Sequence, residues 1–315
     1  MFPPTLSNIC RRPAMNTLFE IVVGGEDLEN DIAAAEAALD EIARIETVLS
    51  RFDPASEVAR VNREAHQHPV LISYELLEVL EICQSYREKT LGYFDITVSS
   101  ERKSNFESVI VDFATRKISF TKADVRLDFG AFGKGYALDC AAKILQEYGV
   151  QNALLHGGTS SVLAMGSAQE CCRVALGSPG WSVGLRNPWD ATDEIESVLL
   201  HNQGLSSSAV FHHDQNTSDI INPHEATRVR DDAACVVIGG TAVETEVFST
   251  ALLCMGKEMA KKYCAENLVA ELRVLWIEKS AENGAPICSQ LWDFAGIAPA
   301  GGRRYPNPSI QFETL

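Results

Sequence analysis

The stretch that most constrains this fold covers residues 126–139, where three glycines join an apolar segment to a helical pattern. Before the glycines, Val125, Leu127 and Phe129 alternate with polar residues, which is typical of a half-buried strand. After them, apolar side chains recur at helical spacing, at Tyr136, Ala137, Cys140, Ala141, Ile144 and Leu145. The sequence therefore predicts a strand, a glycine turn and the N-terminus of a helix over 134–148.

This turn has two interpretations. The unpaired N–H groups and positive dipole end of a helix N-terminus bind anions, and glycines let a phosphate approach the backbone. Glycines at such a turn can equally serve close packing. The residue pattern of this turn matches no familiar phosphate-binding loop. Only Ala131 and Phe132 precede Gly133-Lys134, and Gly135 stands where a P-loop has Ser or Thr. The spacing G-x-x-G-x-G also differs from the G-x-G-x-x-G of dinucleotide sites.

The composition is that of an ordinary globular protein with a large core, with 315 residues of which 46% are hydrophobic and 22% charged. The formal net charge of −16 argues against nucleic acid or an anionic membrane surface as a partner, because both would repel the chain. An anionic ligand would therefore need a local positive site or a metal ion.

The cysteines and the first residues of the chain indicate a cytoplasmic protein. Nine cysteines are scattered along the sequence without C-x-x-C or a zinc-binding spacing, so we expect buried, reduced thiols. Residues 1–14 lack the apolar core of a signal peptide, and Cys10 lacks the apolar context of a lipidation site. No segment reaches transmembrane length. The sequence leaves the oligomeric state open.

The rest of the pattern mixes helices and strands without strict alternation. Helical periodicity predicts helices over 27–49, 73–88, 134–148 and 243–255. Short apolar runs predict strands over 18–23, 109–111, 117–120, 152–156, 160–165, 171–176, 181–185, 196–201, 204–208, 235–239 and 270–277. This order predicts an α+β fold in which mixed β-sheets are flanked by helices.

Several motifs in one order resemble those of the FAD:protein FMN transferase family, the ApbE-like flavin transferases. The motif G-x-F-D-x-T-V is present in full as Gly92–Val98, and the glycine turn and a double glycine at 157–158 follow it. Before it stand a strand start and a spaced polar set, at Met15, Asn16, Thr17, Ser50, Phe52, Ser56, Glu57 and Asn62. The resemblance covers residues 14–280 and implies an ApbE, T-fold-like architecture. It leaves 1–13 as a disordered N-terminal tail and 281–315 as a C-terminal extension.

The resemblance implies a Mg²⁺-dependent enzyme that cleaves the pyrophosphate of FAD, releases AMP and joins FMN to a Ser or Thr hydroxyl of an acceptor protein. Carried over by position, the residues implied to bind the cofactor are Met15, Phe52, Tyr93, Phe94, Asp95, Asp128, Lys134 and Ile220. Three of them have a plainer interpretation, Phe52 and Phe94 as core aromatics and Asp128 as a helix-capping carboxylate.

The family also implies a metal site. Its members carry an Asp and a Thr four residues apart on a helix, which correspond here to Glu246 and Thr250, and Ala131 would offer a further ligand. A spacing of four places both side chains on one helix face, and oxygen ligands suit Mg²⁺. The carboxylate of Glu lies one methylene further out than that of Asp. The alternative interpretation is an ordinary exposed pair on an amphipathic helix.

One family motif is altered at the residues that matter for chemistry. Residues 219–226 correspond to H-I-I-D-P-x-T-G, but Asp219 stands at the His position, Asn222 at the Asp position and Ala226 at the closing glycine. In the family the His helps to deprotonate the acceptor hydroxyl. Here Asp219, or alternatively a base near Glu246, would activate the acceptor, and Lys134 would stabilise charge on the pyrophosphate. Three histidines are alternative bases that no spacing argument separates, namely His212, His213 and His224.

Three functions therefore stay open. The first is FMN transfer from FAD to an acceptor protein. The second is a FAD-binding or carrier protein that has lost the transfer reaction. The third is a FAD pyrophosphatase that yields FMN and AMP.

Overall fold

The computed structural model describes residues 9–25, 27–98, 106–168, 180–210, 219–230, 232–267, 272–279 and 286–293. Its helices are α1 (Leu28–Leu49), α2 (Glu57–Glu64), α3 (Tyr74–Lys89), α4 (Gly133–Glu147), α5 (Ala242–Met255) and α6 (Lys257–Glu266). Its strands are β1 (Ile9–Ala14), β2 (Thr17–Val23), β3 (Val70–Leu71), β4 (Val109–Asp112), β5 (Lys117–Phe120), β6 (Ala153–Gly157), β7 (Ser161–Met165), β8 (Trp181–Asn187), β9 (Asp190–Leu200), β10 (Gln203–Ala209), β11 (Ile221–Asn222), β12 (Thr227–Arg228), β13 (Ala233–Gly239), β14 (Arg273–Lys279) and β15 (Pro286–Asp293).

An eight-stranded antiparallel sheet lies at the centre of the fold, in the order β1-β2-β6-β7-β10-β13-β14-β15. Successive side chains of a strand point to opposite faces. In β2, Phe19 and Ile21 pack on the helical side and Val22 on the other side. Helices α1 and α4 cover the helical side near β2 and β6, and α5 and α6 cover it near β13. The β8–β9 hairpin covers the second face through residues such as Trp181 and Leu200.

Side chains cap most of the described helices. Asp27, Ser56, Ser73 and Thr241 each accept a hydrogen bond from a backbone N–H in the first turn of α1, α2, α3 and α5. Helix α4 instead follows Phe132, whose side chain offers no acceptor. The first N–H groups of α4 must therefore find partners elsewhere in the fold.

The predicted α+β class is confirmed, and the four predicted helices correspond to α1, α3, α4 and α5 with ends within one residue. The pattern does not predict α6, nor the edge strands β1 and β15. The predicted strand 171–176 lies outside the described residues. None of the described helices is both long and apolar enough to cross a membrane.

Two sequence predictions differ from the structure. Strand β1 pairs with β2, so residues 9–13 are not a disordered tail. The predicted C-terminal extension, whose structure the sequence leaves open, contributes the last strand of the main sheet, because β15 pairs with β14. In the segment 125–129, which is predicted as a strand, residues 125, 127 and 129 are buried, but the segment joins no sheet among the described residues. Its Leu127 bonds through both backbone groups to the side chain of Asn62, at 2.7 and 2.9 Å, so those groups are not available to a strand ladder.

The described cysteines are free thiols, and all except Cys288 are buried or half-buried. Burial raises the pKa of Cys254 to about 12 and the pKa of Cys10 to about 11. These thiols therefore stay protonated at neutral pH, in agreement with the predicted structural role.

Candidate functional site

The glycine turn opens directly into α4 and is held against the core. The N–H groups of Phe132 and Gly133 donate to the carbonyl of Phe129, at 3.0 and 2.7 Å. The ring of Phe132 is fully buried and stacks on Tyr136 one turn later, with 5.5 Å between ring centroids. The start of α4 is therefore anchored by apolar packing.

Gly135 lies where α4 and α5 come into contact. A Cβ placed on Gly135 would lie 2.5 Å from the carbonyl oxygen of Ala242 and 2.8 Å from the Cα of Val243, both backbone atoms. One turn along α4, the carboxylate of Asp139 accepts the N–H groups of Ala242 and Val243, each at 2.9 Å. The packing interpretation of the glycines is thus confirmed at Gly135.

Asp139 is a charged group held in an apolar contact between two helices. Burial raises its pKa from 3.8 to about 6, although its two hydrogen bonds from the N-terminus of α5 and the nearby Lys143 act in the opposite direction. Glu246 on α5 adds a smaller upward effect.

The anion at the start of α4 is the protein's own Glu246. One carboxylate oxygen forms an ion pair with Lys134 Nζ, and the other accepts the N–H of Gly135 at 2.5 Å. Glu246 is only 3% exposed. The turn is therefore an anion site, as one interpretation predicts, but a side chain from α5 fills it.

The predicted metal ligands do not fit Mg²⁺ as they are placed. Both oxygens of Glu246 are bound by donors, and one of these donors is an ammonium group that repels a cation. Thr250 Oγ1 donates to the carbonyl of Glu246 at 3.2 Å and lies 3.0 Å from Ser208 Oγ. Ala131 lies half-buried in the turn before α4. No group of three or more His, Cys, Asp or Glu side chains within the described ranges could hold a metal. The exposed-pair alternative is also wrong, because Glu246 is buried.

Met15 lies at the same helix start. It occupies the turn between β1 and β2 with a positive φ of 50°, and its N–H donates to Glu46 on α1 at 2.8 Å. Its sulfur lies 3.9 Å from the position that a Cβ would take on Gly133. The structure thus places Met15 beside Gly133, the residue before Lys134.

Asp128 stabilises the glycine turn through its carboxylate. Its carboxylate accepts the N–H of Gly130 at 2.9 Å and pairs with Arg51 Nε at 3.0 Å, so it braces the turn and does not cap α4. The Arg51 guanidinium lies 4.2 Å over the centre of the Phe52 ring, which is 78% exposed. Phe52 is therefore not a core aromatic, and its ring is open to a planar ligand.

The G-x-F-D-x-T-V motif divides between core and surface. Phe94 is 3% exposed and packs on Phe132, so it is a core residue, as its plainer interpretation predicts, and it does not present its ring to a ligand. Asp95 is also buried and accepts the N–H and hydroxyl of Thr97, at 2.7 and 2.6 Å, together with Arg87 Nε at 3.3 Å. Both residues shape the loop from within.

The same loop forms one wall of an open cleft of about 290 Å³. The cleft is lined by Arg87, Glu88, Leu91, Gly92, Asp95, Pro223 and His224. The rings of Tyr93 and His224 stack with 4.2 Å between centroids. His224 Nε2 donates to the carbonyl of Leu91 at 3.0 Å, so neutral His224 carries its proton on Nε2 and leaves Nδ1 as an acceptor.

Of the three histidines considered as alternative bases, His224 is therefore the one that the described structure places against a predicted cofactor-binding residue, Tyr93. Its backbone N–H donates to Asn222 Oδ1 at 2.9 Å, and Asn222 Nδ2 donates to the carbonyl of Cys254 at the end of α5. The altered Asn222 therefore positions His224, a role that sequence spacing could not assign. His212 and His213 lie outside the described residues.

Asp219 does not have the surroundings of a general base. Its side chain is fully exposed, and its nearest ionic partner is Arg228, at 3.6 Å. The neighbouring Ile220 is half-buried, packs against the core near α5 and α6, and accepts the N–H of Val229 at 2.9 Å. The structure therefore places Ile220 in a packing role and leaves Asp219 in solvent.

Comparison with known proteins gives a consistent result. The sequence profile of the ApbE family matches residues 15–275. A FAD:protein FMN transferase of Klebsiella pneumoniae (strain 342) is 22% identical, with 85% of this chain and 84% of that protein covered. A FAD:protein FMN transferase of Escherichia coli (strain K12) is 21% identical, with 79% and 78% covered.

Solved structures share the fold. The flavin transferase ApbE from Vibrio cholerae superposes with a TM-score of 0.73 at 18% identity, covering 91% of this chain and 97% of that chain. The ApbE protein from Thermotoga maritima superposes with a TM-score of 0.76 at 22% identity, covering 89% and 96%. At these identities the superpositions establish the architecture alone.

Proposed function

The chain belongs to the ApbE family, and from that premise we propose that it is a FAD:protein FMN transferase. It would bind FAD, transfer FMN to a Ser or Thr hydroxyl of an acceptor protein and release AMP. Mg²⁺ dependence, which the resemblance also implies, is not part of this proposal because Glu246 and Thr250 do not fit the ion as placed.

The proposal rests on the side chains that come together at the N-terminus of α4. Lys134 and Arg51 bring two cationic groups to the glycine turn, and Met15 lies beside it. Cationic N–H donors of this kind suit a pyrophosphate. The exposed ring of Phe52, next to Arg51, offers a stacking surface for one of the two ring systems of FAD.

The proposed reaction is a phosphoryl transfer in which the acceptor hydroxyl oxygen attacks the phosphorus on the FMN side of the pyrophosphate. A new P–O bond forms, the P–O bond to the AMP phosphate breaks, and AMP leaves with that electron pair. Lys134 would stabilise negative charge that builds up on the phosphate oxygens.

The hydroxyl proton needs an acceptor. Of the described candidates, His224 is better placed than Asp219, because its Nε2–H is fixed by the Leu91 carbonyl and its Nδ1 is left to take a proton. Its ring also lies on Tyr93, one of the residues predicted to line the FAD site. Asp219 is exposed and lies beside Arg228.

A second candidate function is FAD binding without transfer. The exposure of Asp219 at the position of the family's catalytic His favours it. A third product pattern, free FMN with AMP, would arise if water replaced the acceptor hydroxyl.

The test is to incubate the purified full chain with FAD and a cell extract, in EDTA and in Mg²⁺. AMP would be measured by chromatography and protein-bound flavin by in-gel fluorescence. AMP together with covalent flavin on a protein supports the transferase. AMP with only free FMN indicates the pyrophosphatase, FAD binding without AMP indicates the carrier, and no FAD binding refutes all three.

A further inference from the structure

We infer that Lys134, held by Glu246, takes the position of a divalent cation at the pyrophosphate, so that this chain binds FAD without a metal ion. This inference rests on the proposed function for the identity of its ligand. It concerns how the same site neutralises phosphate charge, and it comes from the misfit between the predicted Mg²⁺ ligands and their observed contacts.

The first step is that the ammonium group of Lys134 is fixed and still accessible. An ammonium group has three N–H donors. One goes to Glu246, and no second acceptor among the described residues bonds to Lys134 Nζ. The Lys134 side chain is 22% exposed, so the remaining donors can meet a ligand at the surface of the site. A cation that joins a protein carboxylate to phosphate oxygens is the arrangement that Mg²⁺ usually provides.

The second step is that the length of Glu246 makes this pairing possible. Its carboxylate spans from Lys134 Nζ to the N–H of Gly135, which it accepts at 2.5 Å. An Asp at the same position would withdraw the carboxylate by up to about 1.5 Å, one C–C bond length. That change would break the bond to Gly135 and free a carboxylate for a metal ion.

The third step concerns charge. A divalent cation at Glu246 would have to displace the ammonium group or lie in contact with it, and the two repel each other. The carboxylate and the ammonium already neutralise each other inside the site. The bound pyrophosphate would thus receive directional hydrogen bonds from Lys134 in place of metal coordination.

The test measures FAD affinity by flavin fluorescence for the full chain in EDTA and in Mg²⁺. The dissociation constant of the wild type should differ by less than about twofold between the two buffers. Lys134→Met should weaken FAD binding by about tenfold or more in both buffers, because a charge-assisted hydrogen bond is lost. Lys143→Met removes an exposed lysine from the same helix and should leave the affinity unchanged.

The Glu246→Asp variant should make FAD binding depend on Mg²⁺. It should bind FAD more tightly in Mg²⁺ than in EDTA, by about tenfold. Circular dichroism would check that each variant is folded. The comparison of wild-type FAD affinity in EDTA and in Mg²⁺ does not depend on any variant. As an independent probe, Mn²⁺ alone would be titrated into FAD-free wild type and followed by electron paramagnetic resonance, where we expect only the signal of free Mn²⁺.

The outcomes separate this inference from the proposed function. Wild-type FAD binding that requires Mg²⁺, or a tightly bound Mn²⁺ signal, overturns the inference alone. Absence of FAD binding in both buffers overturns the inference together with the proposed function. Equal binding in both buffers, with loss in Lys134→Met only, supports it.

Discussion

The contact between α4 and α5 makes a strong prediction for the substitution Gly135→Ala. The new Cβ would lie 2.5 Å from the carbonyl oxygen of Ala242, whereas an ordinary van der Waals contact begins near 3.4 Å. The two helices would have to separate by roughly 1 Å. The obstructing atoms belong to the backbone, so no side-chain rotation can relieve the clash.

The expected loss of stability follows from three contributions. Overpacking of this kind costs about 1–3 kcal/mol. The hydrogen bond from Gly135 to the carboxylate of Glu246 would be stretched, and such charged hydrogen bonds contribute about 1.5–3 kcal/mol. The higher helix propensity of Ala returns up to about 1 kcal/mol. The free energy of unfolding should therefore fall by about 1.5–5 kcal/mol.

Urea unfolding followed by circular dichroism measures this change, and Gly133→Ala is the matched control. Gly133 begins the same helix, but a Cβ there meets only the sulfur of Met15, at 3.9 Å. The control should be neutral or slightly stabilising. A Gly135→Ala protein within about 0.5 kcal/mol of the wild type would refute the packing argument, as would equal losses in the two variants.

Three further predictions concern single side chains. Since burial raises the pKa of Asp139 from 3.8 to about 6, ionisation of this group should lower stability as pH rises from about 4 to 7. The free energy of unfolding of the wild type relative to Asp139→Asn should then decrease by roughly 3 kcal/mol over that range, and a difference that is constant with pH would contradict it. His224→Gln should slow AMP formation by about 10²-fold with little change in FAD affinity, measured by chromatography and fluorescence titration, and an unchanged rate would exclude His224 as the base. Phe52→Ala should weaken FAD binding by about tenfold without changing the urea midpoint, because the ring is exposed, and an unchanged affinity would remove Phe52 from the site.

Local signals made most of the fold predictable. Helices α1, α3, α4 and α5 follow from apolar periodicity over long segments, and their ends follow from adjacent polar caps and glycines. The segment 125–129 shows the limit of this reasoning. Its alternation correctly predicts which residues are buried, but a side chain from α2, Asn62, takes the backbone bonds that a neighbouring strand would have taken.

The candidate site was predictable only in part. The order of the motifs identifies the region around the glycine turn, and the structure does bring Met15, Asp128 and Lys134 to it. Phe94 is buried inside the loop instead, because its motif also has to pack that loop against the core. Asp219, which the resemblance predicts as the catalytic base, lies in solvent.

The sequence by itself determined helices α1, α3, α4 and α5, the alternation of buried residues and the family, because each depends on neighbouring residues or on motifs in a fixed order. Only the tertiary structure decided that Glu246 fills the N-terminus of α4 and that His224 lies against Tyr93. The physical reason is that the N–H groups of a helix without a side-chain cap donate to any anion that packing brings within reach. Which carboxylate arrives depends on how closely α4 and α5 can approach, and hence on the absence of a side chain at Gly135.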